Sequence, residues 1–271
     1  MDRLQKTLLI SLVSISAAAW AATQAFQANM MNAMMTPYSA LSISLFVAVW
    51  TAGMAAMMFP AISPVVLLYN RLVKNGSTAL VIGGRGLYSL KMVLFVGCYL
   101  AVWALTGLAL LLAWSMLLNS AVAATGLHTA VYGSILVAAG AYQFSPLKAK
   151  CLGYCESPMG FFMKRWRNGT AGAVSMGTYH GLYCLWCCWP YFLLMVALGW
   201  MDILWMALFA GIIFGEKMWS RGIWVSRAAG IGLVIAGALA MLGIVDVSVH
   251  GNMIDQEMQA QDQMSDDGMG M

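Results

Sequence analysis

The chain has 271 residues, of which 62% are hydrophobic and 9% are charged, and its formal net charge is +4. Soluble domains are about 45–50% apolar and about 25% charged, so this composition excludes an ordinary soluble protein and indicates an integral membrane protein. The basic residues lie in short loops between apolar segments, where they report topology and do not indicate a nucleic-acid partner.

Seven apolar segments predict membrane-spanning helices, each of which needs about 20 residues. We therefore expect an all-α fold, a polytopic transmembrane helical bundle of about seven spans. The fourth and sixth segments are short and need flanking residues to cross. In chain order the segments cover residues 8–26, 41–69, 92–113, 129–144, 172–200, 203–214 and 228–245.

The first segment is either a membrane span or a cleaved signal peptide. Arg3 and Lys6 precede an apolar run that contains the small residues 17–22, which is also the arrangement of a signal peptide. Cleavage would leave six spans with the same topology. Further along, Pro60, Pro64 and Pro190 fall inside the second and fifth segments and predict kinks whose freed carbonyls are buried in protein.

The basic residues predict which loops are cytoplasmic. All 14 Lys and Arg residues lie in the N-terminal segment or in the loops after the second, fourth and sixth apolar segments. The positive-inside rule places these regions in the cytoplasm. We expect the N-terminus inside, the C-terminus outside and the protein in the cytoplasmic membrane. Residues 1–250 then form a single transmembrane domain, and residues 251–271 form a flexible Met/Asp-rich outer tail.

Methionines are concentrated on the predicted outer face. Met30, Met31, Met34 and Met35 lie in the first outer loop, and five more lie in the tail among acidic residues, after His250. Thioethers select Cu(I), and carboxylates and imidazole can hold Cu(II). The loop and the tail therefore predict a copper collector. The alternative is a disordered tail whose methionines have no role.

The fifth segment carries His180, Cys184, Cys187 and Cys188 on one helical face, which Met176 extends. A histidine inside hydrocarbon is costly and indicates a functional site, so we predict that the histidine and the three cysteines are metal ligands. The alternative is a helix-packing face on which the histidine hydrogen bonds a carbonyl and the cysteines act as small hydrophobic residues.

The second segment carries a matching face of methionines. Met54, Met57 and Met58 are spaced like neighbours on one side of a helix. Counted from the ends of the two segments, they lie at the depth of the fifth-segment cysteines, about midway across the bilayer. They predict the second half of a metal site, although methionine is also a common filler of apolar packing.

The predicted cytoplasmic loop after the fourth segment contains Cys151 and Cys155. Their spacing suits a shared metal ion or a reducible disulfide, and the cytosol would keep the thiols reduced. We predict a metal-binding exit or docking site here. The alternative is a structural pair.

Several stretches together resemble one bacterial family. The family is that of the predicted metal-binding integral membrane proteins, formerly a domain of unknown function, some of whose members are labelled copper chaperones. The resemblance covers about residues 45–245 and implies a polytopic helical bundle in the bacterial inner membrane. This chain has Trp186 where the family often has Gly, and the outer tail is not part of the shared pattern. The resembling stretches are Met57-Met58-Phe59-Pro60 after Trp50, the 146–158 loop, the Cys184-Leu-Trp-Cys187-Cys188-Trp189 run, Gly199-Trp-Met201 with Trp205-Met206, and Glu216-Lys217.

The residues favour a copper-handling membrane protein that captures a soft metal ion, with Cu(I) as the first choice, and holds it or passes it on. Its expected partners are the lipid bilayer and a copper-acceptor protein or a copper-dependent membrane enzyme. The alternative is an accessory or redox subunit of a membrane-bound copper-dependent oxidase. We favour a protein without catalytic residues, because the chain has no ATP-binding motif and its three histidines are scattered. Glu216 is expected to form an interfacial ion pair with Lys217. The alternative is a proton or cation acceptor at the inner mouth of a path that begins at the Met-rich outer face.

Overall fold

A computed structural model describes residues 3–35, 39–77, 84–113, 128–198, 202–219 and 221–244, and the structural statements below concern these residues. They form nine helices and no strand. The helices are α1 (Arg3–Met35), α2 (Ala40–Ser77), α3 (Gly84–Ala113), α4 (His128–Tyr142), α5 (Pro146–Glu156), α6 (Pro158–Arg165), α7 (Gly169–Leu198), α8 (Ile203–Met218) and α9 (Gly222–Met241).

The predicted all-α fold is confirmed for the described residues. Each of the seven apolar segments lies wholly or mostly in one helix, namely α1 to α4 and α7 to α9. Four helices are long and apolar enough to cross a membrane, over Gln5–Phe26, Ala40–Lys74, Leu87–Ala113 and Gly222–Met241. The count of seven spans therefore stays a prediction.

The loop after the fourth apolar segment is folded as two short helices, α5 and α6, which the sequence analysis did not predict. Ser145 caps α5 by accepting from the Lys148 amide at 3.1 Å, and Pro146 begins the helix. Ser157 ends α5 and caps α6. Serine at the N-cap followed by proline is a common start of a helix. The helices α5 and α6 also pack against the bundle, α5 on α7 and α6 on α2.

Each proline inside a long helix frees one carbonyl, and a hydroxyl group hydrogen bonds each freed carbonyl. A proline cannot bond the carbonyl four residues earlier. Ser16 of α1 therefore donates to the carbonyl of Ala56, at 2.6 Å, four residues before Pro60. The other two freed carbonyls are those of Pro60, which accepts from Ser63 at 2.8 Å, and Trp186, which accepts from Tyr142 of α4 at 2.6 Å. The freed carbonyls thus join α1 to α2 and α4 to α7.

The helix α7 lies among α3, α4, α5 and α8, and glycines let α3 approach it closely. A β-carbon at Gly177 would lie 2.3 Å from the carbonyl oxygen of Phe95, and one at Gly181 would lie 3.0 Å from the Val102 side chain. Small residues four apart are a common way for membrane helices to come together. This close packing fixes the position of the α7 face that carries the histidine and the cysteines.

A second glycine contact joins α4 to α9. A β-carbon at Gly140 would lie 2.7 Å from the carbonyl oxygen of Gly230, and one at Gly237 would lie 2.7 Å from that of Gly133. The two helices therefore touch backbone to backbone along two turns. We call this contact, formed by Gly133, Gly140, Gly230 and Gly237, the glycine seam.

Candidate metal centre

Sulfur atoms from three helices meet in the interior. Cys184, Cys187 and Cys188 of α7 are fully buried, and the Sγ atoms of Cys187 and Cys188 are 3.4 Å apart. Met58 of α2 places its Sδ 3.9 Å from the Cys184 Sγ. Cys155 of α5 is buried, and its thiol interacts with that of Cys187. We call these five residues the sulfur cluster.

A buried cation that the sequence analysis did not anticipate contacts the sulfur cluster. The Nζ of Lys217 donates to the Cys184 Sγ at 2.7 Å and lies 3.9 Å from the Met58 Sδ. The hydroxyl of Tyr99, from α3, is 3.2 Å from the same Cys184 sulfur. A buried ammonium needs a compensating negative or polar partner, and the Cys184 sulfur supplies it.

Beside the sulfur cluster lies a buried ion pair. Lys148 of α5 donates to Glu216 of α8 at 2.8 Å, and both side chains are fully buried. Lys148 also donates to the carbonyl of Cys187 at 2.6 Å, and Tyr191 donates to Glu216 at 2.6 Å. These contacts attach α5 to α7 and α8 directly over the cysteines.

The expectation of a surface pair between Glu216 and Lys217 is therefore wrong. Both residues are buried, and each contacts a different partner. The reason is the length of α8, which has 16 residues. Lys217 lies as many residues after the start of α8 as Cys184 lies before the end of α7. Because a short connection joins the two helices, the two residues lie at the same depth. The end of α8 thus reaches the depth of the cysteines and stops there.

His180 lies one turn before Cys184, inside a box of aromatic rings. Its ring centroid is 5.3 Å from that of Phe161, 5.7 Å from that of Tyr99 and 6.3 Å from that of Phe95. Neither ring nitrogen has a hydrogen-bond partner among the described residues. Buried polar atoms nearly always have a hydrogen-bond partner, so the environment of these two nitrogens is unusual.

The structure brings some predicted ligands together and leaves others apart. Met58 meets the cysteines, whereas Met54 and Met57 are buried in α2 and their sulfurs have no described contact with a thiol. Cys151 is buried on the face of α5 that carries Cys155. The side chains of Met30, Met31, Met34 and Met35, and residues 251–271, lie outside the described residues.

The thiols of α5 are in their protonated form at neutral pH. Burial raises the pKa of Cys151. The interaction with Cys187 and burial raise the pKa of Cys155 well above its ordinary value. A metal ion that binds a thiol must displace its proton, so binding at Cys155 would release one.

Within the described part of the chain, no group of three or more His, Cys, Asp and Glu side chains is arranged to hold a metal ion. The sulfurs of the cluster contact one another in pairs, and those of Cys184 and Met58 also contact Lys217. Thiolates and thioethers are nevertheless the ligands that select Cu(I), an ion that two sulfur atoms can bind. The donor set therefore fits Cu(I) as cargo better than an ion that needs four ligands.

Comparison with known protein families agrees with this chemistry. The family PpoB2, described as copper chaperone, matches residues 46–240. The chain belongs to this family. The match begins at the seventh residue of α2 and ends just before the last residue of α9. It therefore includes every residue of the sulfur cluster. The resemblance stated from the sequence is thereby confirmed. No curated protein and no solved structure matches the chain.

Sequence reasoning missed Lys148, Lys217, Tyr99 and Tyr191. The sequence did carry a signal for Lys148. Ser145 and Pro146 predict the start of a helix. On this helix Lys148, Cys151 and Cys155 are spaced three and four residues apart. Treated as a helix, the loop would have shown these three residues on one face. For Tyr99 and Tyr191 the sequence carries no comparable signal, because an aromatic residue in an apolar span is usually packing.

Proposed function

We propose that this copper chaperone family member is an integral membrane protein that binds Cu(I) as cargo at the sulfur cluster and passes it to an acceptor. The observation that carries the proposal is the convergence of Cys155, Cys184, Cys187, Cys188 and Met58 in the interior. Five sulfur atoms from three helices exceed what packing requires, since apolar residues would fill the same space without reactive groups.

The preference for Cu(I) follows from the donor atoms. Thiolates and thioethers are soft ligands, which favour Cu(I) over harder ions such as Mg²⁺ or Ca²⁺. The carboxylate beside the cluster, that of Glu216, does not compete, because it is occupied by Lys148 and Tyr191. We propose that two sulfur atoms of the cluster hold the ion, with the remaining sulfurs available to receive it during transfer.

Lys217 would serve as a substitute cation when copper is absent. Its ammonium lies 2.7 Å from the Cys184 Sγ, where a cation is stabilised by the sulfur. Cu(I) carries the same charge, so exchanging the ammonium for copper would change the local charge little. A lysine side chain is long and flexible enough to move aside.

For the membrane arrangement we propose the seven spans and the orientation derived from the basic residues. The four long apolar helices support this arrangement. In this orientation α5 and α6 lie on the cytoplasmic side of the sulfur cluster, and the cluster is enclosed between them and the outer half of the bundle. We further propose that Cys151 extends the thiol set towards the cytoplasm.

The test is the copper content of the purified full-length protein after loading with Cu(I) under reducing, anaerobic conditions. We expect the unmodified protein to retain copper and the Cys184→Ser/Cys188→Ser variant to lose it, because Ser keeps the shape and removes the soft ligand. Cys98→Ser is the matched control, since Cys98 is half-buried on α3 and outside the cluster.

Two results would contradict the proposal. Copper retained in full by the folded double variant would show that the cluster is not the binding site. Failure of the unmodified protein to bind copper would exclude the proposed function itself. The melting temperature of each variant, measured in the same detergent, separates loss of copper from loss of fold.

A further inference from the structure

Four buried side chains able to bind a soft metal follow one another along α7. Met176, His180, Cys184 and Cys188 are spaced four residues apart, so each lies one helical turn from the next. Their exposed fractions are 1%, 1%, 0% and 0%. The last two belong to the sulfur cluster. The first two extend from it towards the N-terminal end of the helix.

A cavity of about 270 Å³ opens at that end of the helix. Met176 lines it together with Tyr69 of α2, Lys91 of α3 and the segment Trp166 to Gly169. In the proposed orientation this is the cytoplasmic end of the bundle. Met176 therefore joins the cavity to the buried part of α7.

His180 supplies an independent indication that a ligand passes here. It is buried, and neither ring nitrogen has a hydrogen-bond partner among the described residues. A buried imidazole without a partner is unfavourable, because nothing compensates the desolvation of its nitrogens. The Phe95, Tyr99 and Phe161 rings hold it in position between Met176 and Cys184, and the hydroxyl of Tyr99 touches the Cys184 sulfur at 3.2 Å.

We propose that Met176 and His180 are transit ligands, which carry Cu(I) between the cytoplasmic-side cavity and Cys184. This inference rests on the proposed copper-binding function of the sulfur cluster. At each step one copper–ligand bond forms as the previous one breaks, and the ion stays Cu(I), so no electron is transferred. A thioether and an imidazole bind Cu(I) without losing a proton, which suits ligands that hold the ion only briefly.

The mouth of the cavity indicates the form in which copper is exchanged with the solvent. Lys91 and Arg167 line it, and two cations would repel a bare metal ion. They would attract an anionic complex in which Cu(I) is held by thiolates or by another negatively charged chelator. The carrier would release Cu(I) to Met176 and return to solvent with its own ligand atoms. For copper leaving the protein the same exchange runs in reverse.

The test measures how fast bathocuproine disulfonate, an anionic Cu(I) chelator, removes copper from the loaded full-length protein. The variants are Met176→Leu and His180→Phe, which keep the volume and, for His180, the ring stacking. The matched control is Met195→Leu, a buried methionine on the same helix beyond the cysteines. If folding of the His180 variant is impaired, Met176→Leu alone carries the test.

We expect each variant to bind as much copper as the unmodified protein at equilibrium. The extraction rate should fall by about tenfold in each variant, which corresponds to a barrier higher by about 1.4 kcal/mol. The control should keep the unmodified rate to within about twofold, a change of about 0.4 kcal/mol. Replacing Lys91 by Gln should slow extraction by the anionic chelator more than extraction by a neutral one.

Two outcomes would overturn the inference. Extraction rates equal to that of the unmodified protein would show that copper does not pass these side chains. Loss of copper at equilibrium in His180→Phe would make His180 a resident ligand instead. Failure of the proposed function is distinct from both, because the unmodified protein would then bind no copper to extract.

Discussion

The glycine seam and the sulfur cluster are two solutions to the same problem of joining helices. In the seam, α4 and α9 meet through four glycines, and backbone touches backbone. Around the cluster, α5, α7 and α8 are joined by a buried ion pair, hydrogen bonds and sulfur contacts. The first contact is apolar and contains no reactive group, whereas the second contains charges and thiols that an apolar interior normally excludes.

The difference bears on the function proposed for the sulfur cluster. Glycine packing joins helices at a small cost in free energy, because no polar side chain has to be desolvated. A buried ion pair is weak evidence for stability, since desolvation can exceed the attraction between the charges. The polar contacts around the cluster are thus better explained by what they position than by the stability they add.

The largest expected effect comes from breaking the ion pair. Lys148→Met leaves the Glu216 carboxylate buried without its cation, and we expect the free energy of unfolding to fall by about 3–5 kcal/mol. The double variant Lys148→Met/Glu216→Leu should recover most of this loss. Reversible unfolding in detergent measures both. Lys150→Met is the control, because Lys150 is exposed on the same helix. A double variant as unstable as the single one would contradict this account.

An intermediate effect is expected at the glycine seam. A methyl group at Gly140 would lie 2.7 Å from the Gly230 carbonyl, so Gly140→Ala should lower the free energy of unfolding by about 1–3 kcal/mol. Copper content should not change. Gly232→Ala is the control, since no described atom lies within 4 Å of its β-carbon position. Equal stability of the two variants would mean that the seam is looser than its geometry indicates.

A smaller effect on stability, with a clear effect on copper, is expected at the methionines of α2. Met58→Leu keeps the volume and should change the free energy of unfolding by less than about 1.5 kcal/mol. It removes the thioether next to Cys184, so we expect copper affinity to fall by about tenfold. Met57→Leu is the matched comparison, because Met57 is equally buried. Competition against a Cu(I) chelator measures the copper affinity of each variant. If Met58→Leu and Met57→Leu bind copper equally tightly, Met58 is excluded as a ligand.

The smallest effect on stability is expected from the outer tail. Removing residues 251–271 should leave the unfolding of the bundle unchanged and slow loading only when copper is scarce, because several weak ligands attached to the protein raise the local copper concentration. Changing Met30, Met31, Met34 and Met35 to Leu should add to the defect. Loading curves measured over a range of copper concentrations test this, and superimposable curves would give the tail no role.

The sequence predicted the helices of the seven apolar segments and most members of the sulfur cluster, but not α5 and α6. Apolar length and periodicity are local properties, so 8–26 or 92–113 could be recognised from neighbouring residues alone. The face of Cys184, Cys187 and Cys188 followed from helical spacing for the same reason. The choice of Met58 over Met54 and Met57 did not, because it depends on how α2 is rotated against α7.

The buried charges were beyond the reach of the same reasoning. Lys148 and Lys217 were counted with the loop residues that report topology, since a lysine near the end of an apolar segment is normally in water. Their burial depends on α5 packing back onto the bundle and on α8 ending at the depth of the cysteines. Both are tertiary arrangements that involve residues far apart along the chain.

The shortness of α8 also bears on how the protein is made. Its 16 residues span about 24 Å, less than the hydrocarbon thickness of about 30 Å, so in the proposed orientation Glu216 and Lys217 end below the lipid surface. Their partners, Lys148 and Cys184, come earlier in the chain and leave the ribosome first. Glu216 and Lys217 thus enter the nascent bundle only after the groups that pair with them are present. Because of this order of synthesis, neither charge has to stay unpaired inside the membrane.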